Sequence, residues 1–290
     1  MNQVTVAATQ MSCSWNAEEN IASADKLVRQ AAASGANIIL LPELFERVYF
    51  CQQQKEDYRR FATSVEDNPA INHFKEVARE LNVVLPISFF EQAGPVAYNS
   101  IAIIDADGEN LGIYRKTHIP DGPGYNEKFY FCPGDTGFKV WKTRFGRIGV
   151  GICWDQWFPE CARSMALMGA DLLLYPTAIG SEPYDASIDS CQHWQRTQQG
   201  HSAANVIPVI TSNRVGKEII DDSFINFYGS SFITDATGEL IQKMNKTETG
   251  FIKQSFDLPA LSHLRQEWGF FRDRRPSQYQ TLSTKDGKTL

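Results

Sequence analysis

The chain has 290 residues, of which 42% are hydrophobic and 21% are charged, as expected of a globular protein that buries a large core. The formal net charge of −6 argues against a nucleic-acid-binding surface, and no apolar run is long enough to cross a membrane. The N-terminal segment MNQVTVAATQ lacks the basic start and small-residue cleavage site of a signal peptide, so we expect a cytoplasmic protein.

Strand and helix patterns alternate along the chain. Asn16 and Glu19 have the spacing of a capping box that begins a helix, and Gly35 can end it in a left-handed conformation. The predicted strands cover residues 4–8, 38–41, 83–90, 100–104, 111–115, 138–141, 147–152, 172–175, 208–212, 232–234, 240–243 and 251–256, and the predicted helices cover residues 21–31, 71–81, 154–165 and 191–204. This alternation predicts an α/β layered fold with mixed sheets.

The organisation of the chain indicates one domain. Residues 1–290 contain no internal repeat, low-complexity tract or obvious linker. The segment QEWGFFRDRRPSQY, from about residue 266, mixes aromatic residues with arginines. We expect it to form a C-terminal arm that packs on the body of the protein or on a neighbouring subunit.

The six cysteines form no CxxC pair, and their spacing indicates neither a zinc site nor a disulfide framework. Without an export signal, we expect free thiols in a reducing compartment. The sequence therefore implies no metal.

Three predicted strands are followed directly by a chemically reactive side chain. Glu43 lies in NIILLPELFE, Lys116 in GIYRKTHIP and Cys153 in GVGICWDQWFPE. Strand ends are where α/β folds commonly build sites, so these residues predict a base, a cation and a nucleophile in one place. The alternative is that the cysteine packs in the core and that the glutamate and lysine are solvated.

The chain resembles the nitrilase, or carbon–nitrogen hydrolase, superfamily over nearly its whole length. The resemblance rests on LLPELF, YRKTHIP, EKFYFCPGD and GICWDQWFPE, in that order. It implies a four-layer α-β-β-α sandwich that associates through its helical face into a homo-oligomer built from dimers. It also implies catalysis by Glu43, Lys116 and Cys153, with Glu127 as a second glutamate and with no metal or organic cofactor.

Other segments narrow the resemblance to amidohydrolases of polyamine metabolism. These segments are CWDQWFPECAR, HWQRTQQGHSAANVIPVITSNRVGKE and YGSSFITDATGE. They imply that the substrate is a small carbamoylated diamine, with a ureido group at one end and an ammonium at the other.

An ammonium group needs an opposing carboxylate and aromatic faces. The acidic loop SEPYDASID follows the strand next to the nucleophile segment, and we expect Glu182 to be the carboxylate, with Asp185 and Asp189 as the other candidates. The alternative is a solvated acidic loop. The aromatic residues predicted to wall the alkyl chain, each of which could instead be ordinary core, are Trp154, Tyr125 and Phe129.

Two other classes of function stay open. An enzyme that cuts N-carbamoyl amino acids or another small linear amide would need a cation for a carboxylate, for which Arg196 and Arg214 are candidates. A non-catalytic scaffold is disfavoured because all three reactive groups are present. We expect His118, which follows the lysine segment, to be structural.

Overall fold

The computed structural model describes residues 3–185 and 187–288. The strands are β1 (Gln3–Met11), β2 (Ile38–Leu40), β3 (Leu85–Ala93), β4 (Val96–Ile104), β5 (Asn110–Arg115), β6 (Val140–Thr143), β7 (Gly146–Val150), β8 (Leu172–Pro176), β9 (Val209–Ile220), β10 (Ser223–Tyr228), β11 (Phe232–Thr234), β12 (Leu240–Lys243) and β13 (Gly250–Asp257). The helices are α1 (Ala17–Ala33), α2 (Pro69–Leu81), α3 (Pro159–Leu167), α4 (Cys191–Asn205) and α5 (Leu258–Trp268).

The strands form two facing layers. In the first layer β5, β4 and β3 are antiparallel, a parallel bridge between Ile38 and Val84 brings β2 alongside, and β1 pairs with β2 and β13. The second layer has the order β6-β7-β8-β9-β11-β12, in which β7, β8 and β9 are parallel. The end of β1 also pairs with β9, and this pairing joins the two layers.

Three buried clusters show how the layers stack. The inner faces of both sheets share one core, which includes Val6, Val150 and Ile210. Helices α1 and α2 cover the outer face of the first sheet, and α3 and α4 cover that of the second. Because each sheet is apolar on both faces, it needs a helical layer outside as well as a sheet inside. The expected α-β-β-α sandwich is confirmed.

The structure differs from the prediction in three places. Strand β9 continues to Ile220 and forms an unpredicted hairpin with β10, and α5 was also not predicted. The helix expected directly after Cys153 begins only at Pro159, because a short 3-10 turn over Cys153–Trp157 comes first. No helix within the described residues is long and apolar enough to span a bilayer.

Candidate active site

The loops after several strands converge at one edge of the sandwich. Glu43 follows β2, Lys116 follows β5 and Cys153 follows β7. The backbone N–H of Glu43 donates to the carbonyl of Thr177, which directly follows β8. This contact ties the loops of the two sheets together, so that side chains far apart in sequence share one site.

Cys153 lies at a strained turn between β7 and the 3-10 helix. Its φ angle is +42°, a left-handed conformation that costs a non-glycine residue on the order of 1 kcal/mol. Close packing enforces the turn, because a Cβ at Gly151 would lie 2.8 Å from Tyr175 Cε1. The strained residue is thus the one that the sequence predicts to be the nucleophile, just after the end of a strand.

Glu43, Lys116 and Glu127 form a charged cluster beside this turn, and each is 0% exposed. Lys116 Nζ lies 2.8 Å from Glu43 Oε1, and 2.9 and 2.7 Å from the two carboxylate oxygens of Glu127. A buried lysine needs such partners, since an unpaired charge out of water is very costly. The cluster therefore fixes the ammonium between two possible bases.

Burial and the neighbouring charges shift the proton affinities of the site. Burial, with the negative charge of Glu43, raises the pKa of the Cys153 thiol despite the opposing effect of Lys116. Burial also raises the pKa of Glu127, although Lys116 opposes it. Burial lowers the pKa of Lys116, but the two carboxylates outweigh it and hold that pKa well above its usual value. Burial thus favours the thiol form of Cys153.

Two residues that the sequence analysis did not identify also donate hydrogen bonds to the glutamates of the cluster. Asn99 Nδ2 donates to Glu43 Oε1 at 2.7 Å, and Tyr49 Oη donates to Glu127 Oε1 at 2.6 Å. Neither residue carries a sequence signal, because an amide in a strand and a tyrosine in a loop are common. Only the fold places them against the glutamates.

A cavity of about 600 Å³ opens onto Cys153 and Glu127. Trp154, Tyr125 and Glu182 line it, as expected from the sequence, and Trp157 and Tyr184 add further aromatic surface. Tyr125 is held in place by accepting from the backbone N–H of Gly180 at 3.1 Å and donating to the carbonyl of Ser181 at 3.2 Å. The cavity thus joins the cysteine to an aromatic wall with a carboxylate.

Glu182 differs from the other two acidic candidates. Its carboxylate has no hydrogen-bond or ion-pair partner within residues 3–185 and 187–288, and burial raises its pKa. Asp185 accepts from the backbone N–H and the hydroxyl of Ser187, which lower its pKa, and Asp189 lies 3.6 Å from Lys246 Nζ. Neither aspartate lines the cavity as described. The expectation that Asp185 contributes to substrate binding stays a prediction, and its position outside the described lining does not support it.

Phe129, which was expected to wall the alkyl chain, lies outside the described cavity lining, so its role in substrate binding stays a prediction that the structure does not support. Its ring packs under the guanidinium of Arg59 at 4.8 Å, on the surface of an aromatic cluster that includes Tyr130. Within the 3-10 turn Glu127–Phe129, Glu127 is buried and lines the cavity, whereas Phe129 does neither.

The two arginines that were candidates for binding a substrate carboxylate lie outside the described lining of the cavity. Arg214 is buried, pairs with Glu218 at 2.8 Å and donates to the carbonyl oxygens of Glu43 and Leu44, so it braces the Glu43 loop. Arg196 is exposed, and the described lining of the cavity contains no arginine or lysine. His118 contacts Asp155 and stacks on Phe158 with ring centroids 3.6 Å apart, the structural position expected for it.

Comparison with known proteins agrees with this geometry. The sequence profile described as carbon–nitrogen hydrolase matches residues 5–266. The chain belongs to the carbon–nitrogen hydrolase family. Among curated members it is 56% identical to the N-carbamoylputrescine amidase of Arabidopsis thaliana, over 98% of this chain and 97% of that protein.

Two further members of the carbon–nitrogen hydrolase family are informative. The citrullinase of Francisella tularensis is 51% identical, over 98% of this chain and the whole of that protein. The crystal structure of a carbon–nitrogen hydrolase from Helicobacter pylori superposes with a TM-score of 0.91 at 36% identity, covering 98% of this chain and 99% of that one. The family and fold inferred from the motifs are therefore confirmed.

Proposed function

We propose that this carbon–nitrogen hydrolase converts N-carbamoylputrescine to putrescine, carbon dioxide and ammonia, a step of polyamine biosynthesis. One observation carries the proposal: the cavity that opens onto Cys153 and Glu127 presents the unpaired carboxylate of Glu182 on its wall. A substrate with a ureido group at one end and an ammonium at the other matches both features. The 56% identity to a curated N-carbamoylputrescine amidase supports the same substrate.

In the first half of the proposed reaction, Cys153 Sγ attacks the ureido carbonyl carbon while its proton passes to Glu43. The carbonyl electrons move onto oxygen, which Lys116 and the backbone N–H of Trp154 stabilise. Prearranged donors of this kind contribute roughly 3–4 kcal/mol each. When the tetrahedral intermediate collapses, Glu43 returns the proton to the leaving nitrogen, ammonia departs and a thiocarbamate stays on the sulfur.

In the second half, Glu43 removes a proton from a water molecule that attacks the thiocarbamate carbonyl. The carbon–sulfur bond breaks, the thiol is regenerated with the proton from Glu43, and a carbamate is released. The carbamate loses carbon dioxide and leaves the free diamine. Glu127 is the positioning partner of Lys116 in this proposal, because it contacts the ammonium through both oxygens.

N-Carbamoyl amino acids, citrulline and other small linear amides are the alternative substrates, and the 51% identity to a citrullinase is the observation that favours citrulline. Citrulline carries a ureido group and an ammonium, but also a carboxylate beside that ammonium. The cavity lining contains the acidic residues Glu182, Asp121 and Glu127 and, within the described residues, no arginine or lysine. A carboxylate there would meet like charge, so we favour the diamine.

The experiment that tests the function is ammonia release with N-carbamoylputrescine, citrulline and N-carbamoyl amino acids. We expect the highest kcat/KM with N-carbamoylputrescine and at least a 1,000-fold loss in Cys153→Ala, because the covalent route is removed. Cys132→Ala, which changes a half-buried cysteine outside the described cavity lining, is the control and should retain activity. Retention of a tenth of the activity in Cys153→Ala would contradict the mechanism, and preferential cleavage of citrulline would contradict the substrate.

We also propose that the chain forms a homo-oligomer built from dimers through its helical face. Exposed apolar side chains on and near this face, among them Leu167, Met168 and Trp268, support an association that covers them. A cytoplasmic location stays a prediction, supported by six cysteines that are free thiols in the structure.

A further inference from the structure

Asn99 is a fully buried residue in the middle of β4 that contacts both carboxylates of the cluster and the backbone of Lys116. Its Nδ2 atom donates to Glu43 Oε1 at 2.7 Å and to Glu127 Oε2 at 3.4 Å. Its backbone carbonyl accepts from the backbone N–H of Lys116 at 2.8 Å. One residue thus fixes both carboxylates and the segment that carries the ammonium.

The two oxygens of Glu43 have unequal surroundings. Oε1 accepts hydrogen bonds from Asn99 and from Lys116, whereas Oε2 is buried and has no hydrogen-bond partner among the described residues. A buried carboxylate oxygen without a donor is costly, and such an atom calls for a functional reason. Oε2 is the free acceptor of the carboxylate, and the proposed mechanism needs an acceptor for the Cys153 proton.

The two glutamates are also unequal. They share one lysine cation, and two carboxylates in one buried site compete for ionisation. The Asn99 donor lies 0.7 Å closer to the Glu43 oxygen than to the Glu127 oxygen, from the distances of 2.7 and 3.4 Å. Both oxygens of Glu127 accept hydrogen bonds, Oε1 from Tyr49 and Lys116 and Oε2 from Lys116 and Asn99, so among the described residues Oε2 of Glu43 is the carboxylate oxygen of the pair that is left free.

We propose that Asn99 is a positioning residue that makes Glu43, through its Oε2 atom, the acceptor of the Cys153 proton. In that step the Sγ–H bond breaks, the proton bonds to Oε2, and the sulfur electron pair forms the bond to the substrate carbonyl carbon. The inference rests on the proposed roles of Glu43 and Cys153 and adds the reason why Glu43, and not Glu127, is the base.

Several other charged or titratable groups face Glu43. They are Lys116, Glu127, Cys153, Cys51, Tyr49 and, against the backbone carbonyl of Glu43, Arg214. The variants below leave all of them in place, so a changed pH profile reports on the amide of Asn99.

The test compares Asn99→Ala with Ser100→Ala, its neighbour on the same strand. Ser100 is equally buried and donates to the carboxylate of Glu91 at 2.5 Å, on the opposite face of the strand. We expect Asn99→Ala to lower kcat/KM for N-carbamoylputrescine ~10-fold to 100-fold and to move the acid limb of its pH profile to higher pH, since the base has lost a stabilising donor. Ser100→Ala should lower the melting temperature without moving that limb. An unmoved limb in Asn99→Ala, or an equal shift in both variants, overturns the proposal.

Asn99→Asp keeps the shape of the side chain and gives a second readout. Its carboxyl group can donate to Glu43 only while it is protonated, so the activity of Asn99→Asp relative to wild type should fall as the pH rises. This comparison decides the matter even if Asn99→Ala does not fold. A constant ratio across the pH range overturns the proposal.

Alkylation of Cys153 by iodoacetamide in the absence of substrate separates this inference from the proposed function. If the wild type does not cut N-carbamoylputrescine, the substrate assignment fails, yet the pH dependence of alkylation still tests the proton acceptor. We expect slower alkylation in Asn99→Ala, with the same displacement to higher pH, and an unchanged profile in Ser100→Ala. Identical alkylation profiles in all three proteins overturn the role of Asn99.

Discussion

Glu182 shows what a single side chain contributes when the fold leaves it unpaired. Burial raises the pKa of its carboxyl group, and the described residues offer it no cation. In the proposed function, a substrate ammonium would supply the missing charge and thereby stabilise the ionised carboxylate. The aromatic rings of Tyr125 and Trp154 line the same cavity and can add cation–π attraction.

We therefore predict that Glu182→Gln changes substrate preference. Removing one partner of a partly buried charged hydrogen bond costs roughly 2–5 kcal/mol, so kcat/KM for N-carbamoylputrescine should fall at least ~30-fold. N-Pentylurea has the same length, with a methyl group in place of the ammonium, and should be affected far less. The ratio of kcat/KM for the two substrates, measured in each enzyme, cancels general damage to the site.

Asp185→Asn is the control for this comparison, because it neutralises an acidic residue of the same loop outside the described cavity lining. Its substrate ratio should equal that of the wild type. If the ratio stays unchanged in Glu182→Gln, another group binds the distal amine.

At the scale of elements, Asp155 connects the turn at Cys153 to β5 and to the segment after it, which carries Lys116. It is fully buried and accepts from the backbone N–H of Ile152 at 2.9 Å, from Tyr114 Oη at 2.7 Å and from the backbone N–H of His118 at 3.0 Å. Tyr114 is the last residue but one of β5, and His118 follows Lys116 by two positions. One carboxylate thus links the segment that carries Cys153 to the segment that carries Lys116.

Asp155→Ala should therefore impair stability and catalysis together. It leaves several buried donors unpaired, which costs about 3 kcal/mol or more in the free energy of unfolding measured with urea. The kcat/KM should fall as well, because Cys153 and Lys116 lose their common anchor. Asp135→Ala provides the contrast: it breaks an exposed ion pair with Arg115, so the loss of stability should stay below about 1 kcal/mol. Equal effects of the two substitutions would contradict the role of Asp155.

The burial pattern of each element explains whether the sequence could predict it. Strands such as β8 are continuous apolar runs buried on both faces, and their patterns were sufficient. Helix α5 was missed because it buries no residue fully, so its sequence carries little helical periodicity. The hairpin of β9 and β10 was missed because its half of β9, RVGKEII, alternates poorly and its partner pairs at the edge of the sheet.

The sequence could predict the site residues that lie in short local motifs, but not those whose role depends on contacts between distant segments. Motifs at strand ends identified Glu43, Lys116, Cys153 and Glu127, and the fold brings the four together, although their catalytic roles stay predictions. Asn99 could not be found, because its importance depends on contacts across more than 25 residues of sequence, and nothing in YNSIAII distinguishes it from a surface amide.

At the scale of the whole molecule, the C-terminal arm borders an open cavity that is lined by both apolar and polar side chains. A cavity of about 600 Å³ separates the arm from α3 and α4, lined in part by Leu167, Phe270 and Leu282. Two buried polar atoms at this cavity, Nη1 of Arg163 and Oδ1 of Asn205, have no hydrogen-bond partner within the described residues. Unpaired polar atoms beside exposed apolar side chains are what a subunit interface would satisfy.

We predict that removing residues 270–290 weakens association while leaving the chain folded. The arm adds little to the core of its own chain; Arg163 over the ring of Phe271 at 5.0 Å is one of its few contacts with α3. Light scattering coupled to size-exclusion chromatography should give a multiple of the chain mass for the full-length protein and a smaller species for the truncated one. Cys153 should be alkylated by iodoacetamide at a similar rate in both, because the arm lies outside the described lining of the active-site cavity. A monomeric full-length protein would refute the oligomer itself, whereas unchanged association of the truncated chain would show that the helices α3 and α4 are sufficient without the arm.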